Sequence, residues 1–215
     1  MPEDRTHHTS HLCSLGPRPQ IMTGMFLLWL REHYADSDNI EHAVFRSRLY
    51  KDVDSSEEDE SGILIEDVRV WTPTRTGMRP AILVKRNAWQ HPKRFTFGGA
   101  AGTTEEGHTR YGKLWKGSHT IFCVSPVAAE AEILAAETYR FLMHFAPLCR
   151  EHFKLMELEV LQVGELSQVE EDVTSYVVPI TIGYGWSETW IIREHVPPLT
   201  DLRLSNIFEA YGGRD

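Results

Sequence analysis

The 215-residue sequence has no apolar run longer than the six residues Met25 to Leu30. A helix crossing a bilayer needs about 20, so no transmembrane helix is expected. Cysteine is scarce. Cys13, Cys123 and Cys149 are odd in number and far apart, which fits reduced thiols in a cytosol better than a disulfide framework. The first 20 residues are polar and His-rich, without the charged-then-apolar order of a secretory leader. Basic charge is short as well: 22 Lys and Arg against 31 Asp and Glu leave a net charge of −9, which argues against wholesale wrapping of DNA.

What remains is ordinary globular composition, 41% hydrophobic and 25% charged, at a length suited to one domain. Such a chain buries about 70% of its unfolded surface and needs neither a disulfide nor a metal to fold.

Catalytic signatures are absent or broken. Gly107 to Leu114 follows the Gly-x-x-x-x-Gly-Lys spacing of a phosphate loop, but Leu114 replaces the hydroxyl that would ligate magnesium. The motif also follows a loop and feeds a strand, whereas a phosphate loop joins a strand to a helix N-terminus. Glu105 and Glu106 beside it would repel phosphate. Phe97 to Gly102 lacks the Gly-x-Gly-x-x-Gly order and reads as a loop apex. His7, His8 and His11 lack an element to fix metal geometry. His33, His152 and His195 each have a neighbouring acid but no third ligand. Ser118 and His119 are adjacent on a strand and point to opposite faces, so they cannot form a nucleophile and base pair. The expectation is no catalytic residues, no metal and no cofactor.

Residues 1–20 read as a disordered arm, and Met22 and Met25 are each candidate initiators. A helix is expected from Thr23 to Tyr34, with Met22, Met25, Phe26, Trp29 and Leu30 on one face. Asp52 to Ser61 holds six acids in ten residues and reads as a solvated loop. Alternation from Ile63 to Trp71 and the tract Ala81 to Val84 suggest a hairpin with a long tip. Residues 86–114 read as a long interaction loop, exceeding the length of a plain connection. A strand over Lys116 to Val124 follows, then a helix capped by Ser125 that stops near Pro147. Strands over Met156 to Val160 and Thr174 to Trp186 follow, Pro179 marking an edge or a bulge. Residues 197–215 form a C-terminal extension in which Leu204, Ile207 and Phe208 share a helical face. The fold class is α+β: a mainly antiparallel sheet flanked by two helices, in one domain over 21–196.

The helix Met25-Phe-Leu-Leu-Trp-Leu-Arg31, the tract Arg79 to Asn87, Leu114 to Thr120, the helix Ala129 to Glu137 and the strand Val177 to Trp190 together resemble the tail terminator (tail completion) proteins of tailed bacteriophages. The likeness runs from Gly24 to Ile192 and lies in element order and texture. It implies a virion protein, assembled in the host cytoplasm, whose subunits form a homohexameric ring at the head-proximal end of the tail tube. Its partners would be further copies of itself, the tail tube protein and a neck or connector protein. DNA would pass through the lumen without specific binding, and no membrane would be involved. A head-closure ring is the alternative within this class, and a nucleotide-binding enzyme the alternative outside it. Aromatic residues and Arg favour interface centres, so Arg86, Trp89, Arg94, Phe95, Phe97 and Tyr111 are the expected contact residues.

Overall fold

The computed structural model describes residues 19–50, 62–72, 79–90, 100–103, 109–169 and 172–192. Helix α1, Pro19–Ala35, opens on a proline whose fixed φ suits a first turn. It buries Met22, Met25, Phe26, Leu30 and Tyr34, the face its apolar period marks out. Asp36 then caps a 3-10 turn, Ser37–Asn39, by accepting from the Asp38 amide at 2.9 Å. A single-turn helix α2, Ala43–Arg46, follows and seats Phe45 in the core.

Strand β1, Leu64–Asp67, pairs with β2, Ala81–Arg86, in parallel, which corrects the hairpin expected there. The Asp67 side chain accepts from the Arg69 amide at 2.9 Å, and its carbonyl from the Val70 amide at 3.0 Å. These bonds turn the chain at residues 68–70, where alternation suggested more strand, and parallel pairing of β1 with β2 requires a crossover connection between them.

Strand β3, Ala100–Thr103, pairs with β4, Thr109–Ser125. Helix α3, Ala128–His152, leads to β5, Glu157–Val163, β6, Ser167–Val169, and β7, Asp172–Ile192. The sheet order is β1-β2-β4-β7-β5, with β3 on β4 and β6 on β7. Every pairing except β1 with β2 is antiparallel. The fold is therefore α+β with a mixed, mainly antiparallel sheet. Two long helices flank it, and α2 is a third helix that sequence reading missed.

Two further expectations are corrected. The stretch 86–114 is not one loop: β3 lies inside it, Gln90 pairs with Lys116, and β4 begins at Thr109. Pro179 sits in an internal strand, opposite Phe122 of β4. Its carbonyl accepts from Gly164 at 2.7 Å, in the gap between the last β5 pair and the first β6 pair. Its missing amide points into that gap, so no ladder bond is lost.

The main core lies between the sheet and the helices. Ile65, Ile82, Ile121, Cys123, Ile180 and Ile182 face α1 and α3. A smaller cluster, Leu64, Ala81, Leu83 and Val124, lies on the opposite face against Trp71, Phe122 and Val177. The expected arm at 1–20 lies outside the described residues save for Pro19 and Gln20 in α1. The acidic run 52–61 and the extension 197–215 lie outside them too.

Candidate functional site

The β4–β7 ladder holds seventeen register pairs, from Thr109↔Ile192 to Ser125↔Tyr176. Strand β2 accompanies it only as far as His119, and β5 only as far as Gly185, opposite Lys116. Beyond those points Thr109–Trp115 and Trp186–Ile192 form a narrow ribbon, joined by β3 along part of its length. At a strand rise near 3.4 Å the ribbon is about 24 Å long.

One face of this ribbon is an aromatic ladder, because side chains two apart on each strand share a face. Trp115 and Trp186 stack with ring centroids 6.4 Å apart, and Tyr111 and Trp190 with centroids 6.0 Å apart. The Lys113 ammonium lies 4.5 Å from the Trp115 ring centroid, a cation–π contact. Trp115 Nε1 donates to Glu188 at 3.0 Å. At the base of the ribbon, on the opposite face of the sheet, Lys116 and Glu157 form an ion pair at 3.0 Å. It spans Gly185 of β7, the residue facing both partners in register.

Of the expected contact residues, Trp89 packs edge-on against Trp115 and Trp186, at 6.0 and 5.1 Å, on its own sheet. Tyr111 is in the ladder, and Arg86 ends β2 opposite His119. Arg94, Phe95 and Phe97 lie outside the described residues.

Where the ribbon meets the body, α1 crosses the sheet over a row of buried polar groups. His119 is fully buried, and its Nε2 is 2.8 Å from Thr23 Oγ1. Burial foremost, then the Arg86 charge, pushes its pKa down to about 4. Tyr184 lies beside it, with ring centroids 5.5 Å apart, and burial raises its phenol pKa. His119 Nδ1, the Tyr184 hydroxyl and Trp89 Nε1 are all buried without a hydrogen-bond partner among the described residues. Ser118 points away from His119 and accepts from Asn87 Nδ2 at 3.2 Å, so strand alternation separates the two as expected.

Cys123, Cys149 and His33 are buried in the body. Burial pushes the thiols of Cys123 and Cys149 up to about 12, which leaves almost no thiolate at neutral pH. Cys123 donates to Thr138 at 3.7 Å. His33 stacks on Phe141 with centroids 4.2 Å apart, and its Nε2 lies 3.5 Å from Glu137 Oε1. Burial lowers the His33 pKa and the Glu137 carboxylate opposes that shift. Gly112, Lys113 and Leu114 of the phosphate-loop-like spacing are consecutive residues within β4, more than ten residues before the helix that follows it. Among the described residues no group of three His, Cys, Asp or Glu could hold a metal ion, and no helix is long and apolar enough to cross a membrane.

A second feature escaped sequence reading: an apolar groove of about 700 Å³ between α1 and α3. It includes Phe145 and Leu148, at the end of a helix expected to stop near Pro147. The signal was the apolar spacing of Phe141, Phe145, Leu148 and Cys149, which continues across the proline.

No protein-family model matches the chain, and no curated protein matches it in sequence.

Proposed function

We propose that this chain is a structural subunit of the tail terminator type. Six copies form a ring that caps the head-proximal end of a phage tail tube, ends its growth and joins it to the neck. The observation that carries the reading is the ribbon beyond the helix-covered body. A ribbon of two strands, widened by the short β3 along part of its length, is marginal alone in water, and this one keeps Tyr111, Trp115 and Trp190 only partly buried. It therefore gains by packing on another surface, that of the next subunit or of the tube. The net charge of −9 suits a lumen through which DNA slides without sticking, because like charge disfavours phosphate contacts.

The test is the mass of the purified protein at native salt, combined with its effect on tail tubes. A closed ring at six times the 24.7 kDa subunit, seen on one end only of purified tubes and blocking their elongation, is the expected result. A monomer at every concentration, with tubes that elongate unhindered, would overturn the reading.

A further inference from the structure

The groove between α1 and α3 is apolar along Trp29, Phe141, Phe145 and Leu148, with Glu32 and Glu151 on its two helical walls. Phe145 is 45% and Leu148 60% exposed, a large apolar surface to leave in water beside a packed core. Chain outside the described residues begins just after β7, at residue 193. Within it Leu204, Ile207, Phe208 and Tyr211 recur at i, i+3, i+4 and i+7, the spacing of one apolar helical face. Arg203 sits beside that stripe and has the charge to meet either wall carboxylate.

We propose that the groove seats the chain's own C-terminal segment, Leu202 to Tyr211, as an amphipathic helix with that stripe inward. Reach permits it. Met156, four residues past the end of α3, donates to the Gly185 carbonyl at 2.8 Å. From Gly185 the ribbon carries the chain outward by about 24 Å to Ile192. Residues 193–203 can span up to about 36 Å when extended, enough to return to the groove. Pro197 and Pro198 favour extended backbone within that span. A tether this short holds the segment at an effective concentration on the order of millimolar, so its own groove outcompetes one on a free copy. The proposal stands whether or not the chain forms rings.

The full-length chain carrying Phe145→Cys and Ile207→Cys, mildly oxidised and mapped by peptide mass, tests it. A disulfide between positions 145 and 207 within one copy is expected, and adding Leu204→Asp and Phe208→Asp should abolish it. A second measurement avoids engineered cysteines. In the otherwise unsubstituted chain, Leu204→Asp with Phe208→Asp should speed amide exchange about tenfold over Phe141–His152 and leave β4 unchanged. The proposal is overturned by absence of the bond, by a bond joining two copies, by equal yield when Val70→Cys replaces Phe145→Cys, or by unaltered exchange.

Discussion

Tyr184 lies flat over Gly117, so close that a Cβ there would come within 2.8 Å of the ring. One missing side chain thus makes room for an aromatic in the first row beyond β2, and the sheet can carry rings from body to ribbon without a gap. Alternation already placed Tyr176, Val178, Ile180, Ile182, Tyr184 and Trp186 on one face, and five of these six, from Val178 onward, are buried. It could not place His119, because a lone histidine among Ser, Thr and Gly has no distinguishing period. What fixes His119 is α1, 96 positions away at Thr23. Burying it neutral makes stability depend on pH. The unfolded side chain titrates near 6.5 and the folded one at about 4, so below 6.5 the unfolded chain binds more protons and stability falls. Above 6.5 the contribution is complete, and most of it is lost by pH 4. The loss is on the order of 3 kcal/mol, at about 1.4 kcal/mol for each tenfold difference in proton affinity between the two states. His33, whose pKa is also lowered by burial, acts in the same direction. Urea denaturation between pH 7 and 4 should show a shallower decline for His119→Gln than for the unsubstituted chain. An identical slope would show that His119 does not govern this loss.

Helix α3 shows how an element outruns its local signals. Pro147 removes one amide donor and crowds the carbonyl four residues earlier, which is why the sequence predicts a helix that stops near it. The helix nevertheless continues to His152, since Cys149, and beyond it Leu155, are buried and Phe153 packs on Trp29 with centroids 5.5 Å apart. At the other end Ser125 lies outside the helix but still serves its start. Its hydroxyl accepts from the Val127 amide at 3.1 Å and donates to Glu130. Glu130 and Glu137, spaced seven apart, look like a solvent face. Both are buried, Glu130 by Arg48 and Ser125, and Glu137 by the Glu41 amide at 2.9 Å. The segment that covers them, Ser37 to Tyr50, has too little periodic pattern to announce where it will lie. Tertiary anchoring of α3 beyond a proline has a measurable consequence. Pro147→Ala restores a backbone bond at an exposed position and should raise the unfolding free energy by about 1–3 kcal/mol, read from denaturant midpoints at unchanged slope. A fall in stability would mean that the last turns depend on the proline's geometry.

At the scale of the whole molecule the protein has a thick body and a thin ribbon, built from the same two strands. In the body β4 and β7 are flanked by β2 and β5 and roofed by α1 and α3, whereas beyond Gly185 the described residues pair them only with each other and with β3, the Gln90 bridge to Lys116 closing the body. The sequence contains the aromatics of both parts. It conceals the ribbon because Gly112 and Lys113 interrupt the apolar alternation of β4, and because pairing with a strand some 80 positions away leaves no local trace. Stability should follow this division, since local opening is easiest where buried contacts are few. Tyr111 and Trp190 are the outermost stacked pair, with planes 13° apart, and such a pair adds about 0.5–1.5 kcal/mol beyond its buried area. Tyr111→Ala with Trp190→Ala should therefore loosen the ribbon alone. Amide exchange over 109–114 and 187–192 is expected to accelerate about tenfold, which corresponds to the upper end of that energy, while 119–125 and 178–182 keep their protection. In the proposed ring the same variant, folded by circular dichroism, should assemble poorly or fail to cap tubes, because the ribbon would lose its fixed shape before it met a neighbour. If exchange accelerated equally in the body, ribbon and body would be one cooperative unit. If exchange rose in the ribbon alone while rings formed normally, the ribbon would have no part in assembly, and its aromatic face would need another partner.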